Sequence, residues 1–127
     1  MPRTKQFYAL IVSLSAILFF ASPALAADAP APSGAEKVSE QPRRGGTHTL
    51  YRSSKSATEI VQAYQTTLES DGWTIQSSGS GGGSYGGGGG LTASKDSQYL
   101  VMTAGGQAGA TNIDLCVWPS KPSNDDC

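Results

Sequence analysis

"SATEIVQAYQTTLESDGW", residues 56–73, determines how the rest of the chain must be arranged. Ser56 followed three residues later by Glu59 is a capping box, in which each side chain satisfies a backbone N–H left free at a helix start. Ala57, Ile60, Val61, Tyr64 and Leu68 recur at three- and four-residue spacing, so they share one face and that face has to be covered. Gly72 supplies a left-handed stop, and Trp73 falls where the next apolar residue packs back on Leu68, as in a Schellman ending. One amphipathic helix is thereby specified, and it needs a sheet to lie on.

The flanking sequence supplies that sheet. Upstream, Thr47 to Arg52 alternates and is rich in β-formers. Downstream, Trp73 to Gln76, Leu91 to Lys95 and Tyr99 to Ala104 read as short strands, with "KDSQ" a turn between the last two. Thr111 to Trp118 alternates most cleanly, with Ile113, Leu115 and Val117 on one side and Asn112, Asp114 and Cys116 on the other. Pro119 ends it. The expected fold is therefore a two-layer α+β domain over residues 47–118, in β-α-β-β-β-β order, with one helix packed on a small, mostly antiparallel sheet. The sheet face away from the helix is expected to be partly open to water.

Between two of these strands lies "GSGGGSYGGGGG", residues 79–90, with nine glycines in twelve positions. Gly81, Gly83 and Gly86 formally match a dinucleotide fingerprint, but that motif must open a helix, and Leu91-Thr92-Ala93 reads as strand. No Gly-Lys-Ser/Thr follows, so a P-loop is excluded. Residues 77–90 are expected to be a flexible glycine-rich connection, tolerated because closure entropy rises only logarithmically with length. Tyr85 in its middle does not fit a pure spacer and is a candidate contact for a ligand or partner.

The ends of the chain read differently. Residues 1–26 carry Arg3 and Lys5, an apolar run from Phe7 to Ala21, and Ala24-Leu25-Ala26, which is the anatomy of a secretory signal cleaved between Ala26 and Ala27. The run is about 15 residues, short of the ~20 that a membrane-spanning helix needs, so an uncleaved anchor is the alternative and the sole expected link to a membrane. Periplasmic or secreted localisation follows. Residues 27–46, "ADAPAPSGAEKVSEQPRRGG", hold three prolines and no aromatic, and are expected to be a disordered linker. Residues 119–127 form a C-terminal tail.

Removing the signal leaves seven basic side chains against ten acidic ones, which argues against nucleic acid as a partner. Export places Cys116 and Cys127 in an oxidising compartment where an even count favours a disulfide. Closing a loop of about 12 residues contributes on the order of 3 kcal/mol. A bond between two chains through the terminal Cys127 is the alternative. No metal and no cofactor are expected, because two thiols and a sequence-distant His48 do not make a four-ligand site.

No catalytic residues are assigned. His48 is the obvious base, and a small hydrolase built around it would need a carboxylate such as Asp114 brought across the sheet. Trp118 lies on the face opposite Ile113, Leu115 and Val117, beside Cys116, and is a second candidate for binding if that face is open.

The segment "LYRSSKSATEIVQAYQTTLESDGWTI" resembles one shared by small exported bacterial proteins and lipoproteins. There, a strand ending near a tyrosine leads through a capped helix with a mid-helix tyrosine to a Gly-Trp and a second strand. The matching positions are Tyr51, Tyr64, Gly72 and Trp73. The resemblance implies an exported α+β module and no particular activity. The function expected is a non-enzymatic, monomeric envelope module that binds an envelope protein or a small ligand. A hydrolase centred on His48 and a disulfide-linked structural protein are the alternatives.

Overall fold

The computed structural model describes residues 29–83 and 86–127. The signal segment with its Ala26–Ala27 cleavage site, and Tyr85, lie outside the described residues. The elements are β1 (Glu36–Arg43), β2 (Gly46–Ser53), α1 (Ala57–Ser70), β3 (Thr74–Gly83), β4 (Gly86–Lys95), β5 (Gln98–Gln107) and β6 (Ala110–Trp118). The strands form one six-stranded sheet in the order β1-β2-β6-β5-β4-β3, with every neighbouring pair antiparallel. Because β2 pairs with β6 while β3 lies at the far edge, the chain between them must cross the sheet. That crossing is α1, which packs on β3, β4 and β5. The fold is the expected two-layer α+β arrangement with one additional strand.

The helix is built as its sequence dictates. Ser56 Oγ accepts from the Glu59 amide at 3.2 Å, and the Ser56 amide donates to Glu59 Oε2 at 3.0 Å. Its buried residues are Ala57, Ile60, Val61, Tyr64 and Leu68. At the other end the Trp73 amide donates to the Leu68 carbonyl at 2.9 Å and the Gly72 amide to that of Glu69 at 3.2 Å, with Gly72 at φ 88°. This is the Schellman pattern, and only a glycine takes that backbone conformation without strain.

Two expectations are corrected. The linker at 27–46 contains β1, whose residues pair with β2 from Glu36↔Arg52 to Arg43↔Gly46. Ahead of it Pro32 is buried, and the Tyr64 hydroxyl donates to the Pro30 carbonyl at 2.8 Å. Backbone pairing with β2 and this anchoring on α1 supply the ordering energy that the segment's composition does not. Residues 77–83 and 86–90 of the expected glycine-rich loop are also strand. They are the distal parts of β3 and β4, paired with each other from Ser78↔Leu91 through Gly83↔Gly86, with β4 further paired to β5.

Each face of the sheet carries an apolar cluster. Against α1 lies the main core, with Leu91, Ala93, Leu100, Met102, Ile113, Leu115 and Val117 from the sheet. The opposite face carries a smaller cluster of Tyr99, Val101, Cys116 and Trp118, against which Cys127 packs. The 119–127 tail runs back across this face. It is joined by the Cys116–Cys127 disulfide, by a Tyr99 hydroxyl bond to Asp125 at 3.0 Å, and by an Arg44 guanidinium bond to the Asn124 carbonyl at 2.8 Å. The bridge is therefore within one chain.

Candidate functional site

Directly opposed residues of antiparallel strands point to the same face, so the register gives the helix-side surface row by row. One row reads Ser78, Leu91, Met102, Leu115; the next, Ser80, Gly89, Ala104, Ile113; the last, Gly82, Gly87, Gly106, Thr111. On β4 and β5 the side chains shrink from leucine and methionine through glycine and alanine to glycine along the length of the helix, while β6 keeps Ile113 and Thr111. At the C-terminal end of α1 the layers fill the space between them. Toward the hairpin tip β3, β4 and β5 contribute bare backbone at Gly82, Gly87 and Gly106.

A cleft of about 220 Å³ results. The first turn of α1, with Ser56, Ala57 and Thr58, forms its roof; Gly82, Gly87 and Gly106 form its floor; Gln107 and Ala108 of the β5–β6 turn stand at its rim. The glycines are there for close approach as well as for space. A Cβ at Gly87 would come 2.6 Å from the Gly81 carbonyl oxygen, and Gly106 has φ 151°. The roof is held in place by hydrogen bonds. Thr111, which also lines the cleft, donates through Oγ1 to the Lys55 carbonyl at 2.6 Å, while Ser53 Oγ accepts from the Lys55 amide at 3.1 Å and donates to the Gly34 carbonyl at 2.9 Å. No charged side chain lines the cleft among the described residues. Ser56 Oγ is committed to the helix cap. Among the described residues, the other polar side chains that line the space are those of Thr58 and Gln107.

A second constellation lies on the other face. His48 pairs with Cys116 across β2 and β6, and its Nε2 is 2.8 Å from Asp114 Oδ1. The His48 side chain is 12% exposed and that of Asp114 35%. The histidine that is distant in sequence thus lies beside both cysteines, with a nitrogen and the two sulfurs all within 4.8 Å of one another. The carboxylate that a His48-centred hydrolase requires is present. The ring's other close partners are two sulfurs already joined to each other, which are not nucleophiles.

Trp118 is no binding residue on this surface. It is 1% exposed, donates through Nε1 to the Arg43 carbonyl at 3.2 Å, and is roofed by the tail. Nine residues after β6 fold back over the part of this face that carries Tyr99, Cys116 and Trp118, while Arg52, Ser77, Thr103 and Asn112 elsewhere on it are exposed, so the face is partly open as expected but not at Trp118. Sequence reasoning favoured the bridge between Cys116 and Cys127 and named Asp114 as the carboxylate His48 would need, without placing the two side by side. It missed the cleft, whose one sequence signal was the glycine tract itself.

A family model described as START domain-like matches residues 33–110, which span β1, β2, α1, β3, β4 and β5. No curated protein and no solved structure was found to match the chain.

Proposed function

We propose that this chain, which belongs to the START domain-like family, is an exported, non-enzymatic binding module that holds a small uncharged molecule between the first turn of α1 and the glycine hairpin. The loss of side chains along the helix-side rows carries this reading. Two layers that pack tightly at one end and stand apart at the other leave a concave, pre-formed space, which is where small ligands bind. A volume of about 220 Å³ lies below the ~300 Å³ where drug-sized pockets begin. The ligand is accordingly small, with at most a few polar atoms to meet Thr58 and Gln107.

Export is supported by the signal-like first 26 residues and by the use of both cysteines in one disulfide. A monomer is supported by the disulfide within one chain and by the burial of the apolar cluster on each sheet face within that chain.

Titration of the protein with indole or cyclohexanol, followed through backbone amide chemical shifts, tests the reading. Shifts centred on Ala57, Thr58, Gly87, Gly106 and Thr111, abolished by Ala108→Trp at the rim, are the expected result. Shifts scattered over the surface, or unchanged by that substitution, would contradict it.

A further inference from the structure

We infer that His48, Cys116 and Cys127 form a binding site for a thiophilic d10 cation, Zn²⁺ or Cu⁺, which opens when the disulfide is reduced. This inference is independent of the cleft and its ligand. Two of the three ligands stand on paired strands, His48 directly opposite Cys116, so their positions are set by the sheet. The third, Cys127, is the last residue of the tail and is already held against the Cys116 cluster. The donor atoms lie within 4.8 Å of one another. A cation bonded at roughly 2.3 Å to sulfur and 2.0–2.1 Å to nitrogen needs the two sulfurs to move apart once their bond is broken and the ring nitrogen to close in, movements within reach of side-chain rotation and the end of the tail.

The surroundings also suit a metal. Asp114 holds His48 Nε2 at 2.8 Å, the arrangement by which a carboxylate fixes a metal-bound imidazole and raises its basicity. Nδ1 is then the nitrogen left for the cation. Two thiolates and an imidazole match the preferences of Cu⁺ and Zn²⁺ over hard cations. A fourth position would be open to solvent or to an exogenous ligand.

The chemistry balances with a dithiol as reductant. It transfers two electrons and two protons to the Cys116–Cys127 bond, becoming a disulfide itself and leaving two thiols. The cation then displaces both thiol protons to solvent. A covalent clasp on the tail is replaced by a metal clasp at the same place, so Tyr99, Val101 and Trp118 stay covered in either state.

Zn²⁺ and Cu⁺ titrations of the full exported chain, oxidised and after reduction by a phosphine that is then removed, test the site; Co²⁺ serves as a spectroscopic stand-in for Zn²⁺. Reduced protein should take up one cation, bind it at least 100-fold more tightly than oxidised protein, and show a thiolate-to-cobalt charge-transfer band. Cys127→Ser should lose at least 100-fold in affinity, His48→Gln at least 10-fold, and Asp114→Asn about 10-fold. Equal affinity of the oxidised and reduced wild type, a comparison that needs no variant to fold, would overturn the inference. Undiminished binding in a folded His48→Gln protein would also overturn it.

Discussion

A Cβ on Gly87 would lie 2.6 Å from the carbonyl oxygen of Gly81 on the neighbouring strand, whereas one on Gly79 would meet nothing within 4 Å. The glycines of one hairpin are thus of two kinds. Some are required by the close approach of strands; others only leave a surface bare. Gly87→Ala should destabilise the protein by about 1–3 kcal/mol, since backbone and not a flexible side chain would have to move. Gly79→Ala should be neutral or stabilising by ~0.4–1 kcal/mol through the unfolded chain. Paired denaturant melts check both, and equal effects at the two positions would count against this hairpin geometry.

The helix ends offer a second test. Ser56→Ala removes one side of the capping box and should cost ~1 kcal/mol. Gly72→Ala places a Cβ at φ 88° and should cost about 1–2 kcal/mol. Thermal melts of the two single variants and the double variant should show additive losses, because the sites are at opposite ends of α1.

Release of the tail should expose an aromatic. In Cys127→Ser the disulfide is gone, and with it on the order of 3 kcal/mol of stabilisation. In the native state at 25 °C the fluorescence of Trp118 should shift to the red and become accessible to acrylamide. Trp73, in the helix-side core, should stay shielded. An unchanged emission spectrum would show that the tail is held without the bond.

Burial pushes the Tyr64 phenol well above its ordinary value, with smaller contributions from Tyr51 and Asp71. The neutral phenol, which donates to the Pro30 carbonyl, is the form the fold accommodates. Its folded-state pKa is raised, so its contribution is fully present below the unfolded value near pH 10 and is lost as pH rises toward the folded one. Between pH 10 and 12 stability should fall by about 1.36 kcal/mol per pH unit for this one proton. Tyr64→Phe should lose about 1 kcal/mol at neutral pH, from the missing hydrogen bond, and should show a slope shallower by one proton above pH 10. Identical slopes would remove Tyr64 from the alkaline transition.

What was legible in the sequence was whatever leaves a periodic or pairwise mark. The helix, its two caps and all five of its buried residues follow from spacing alone, as does the alternation of β6. The sequence shows β1 poorly because it is an edge strand with nearly every residue exposed, so no apolar alternation distinguishes it from a tether. The β3–β4 glycines carry no side chains to alternate; their strand conformation is imposed by pairing with each other and with β5. The cleft escaped notice for the same reason, since it consists of missing side chains. The approach of His48 to Asp114 and the cysteines depends on β2 lying beside β6, which only the topology reveals.

Amide hydrogen exchange across the glycine tract is the measurement to make first. In the six-stranded sheet β4 is an interior strand, so the amides of Gly87 to Gly90 are paired on one side or the other and should be protected to a degree comparable with β5. Ligand bound in the cleft should slow them further. Exchange of those four amides at the rate of an unstructured chain would contradict the hairpin, and with it the floor on which the proposed binding site rests.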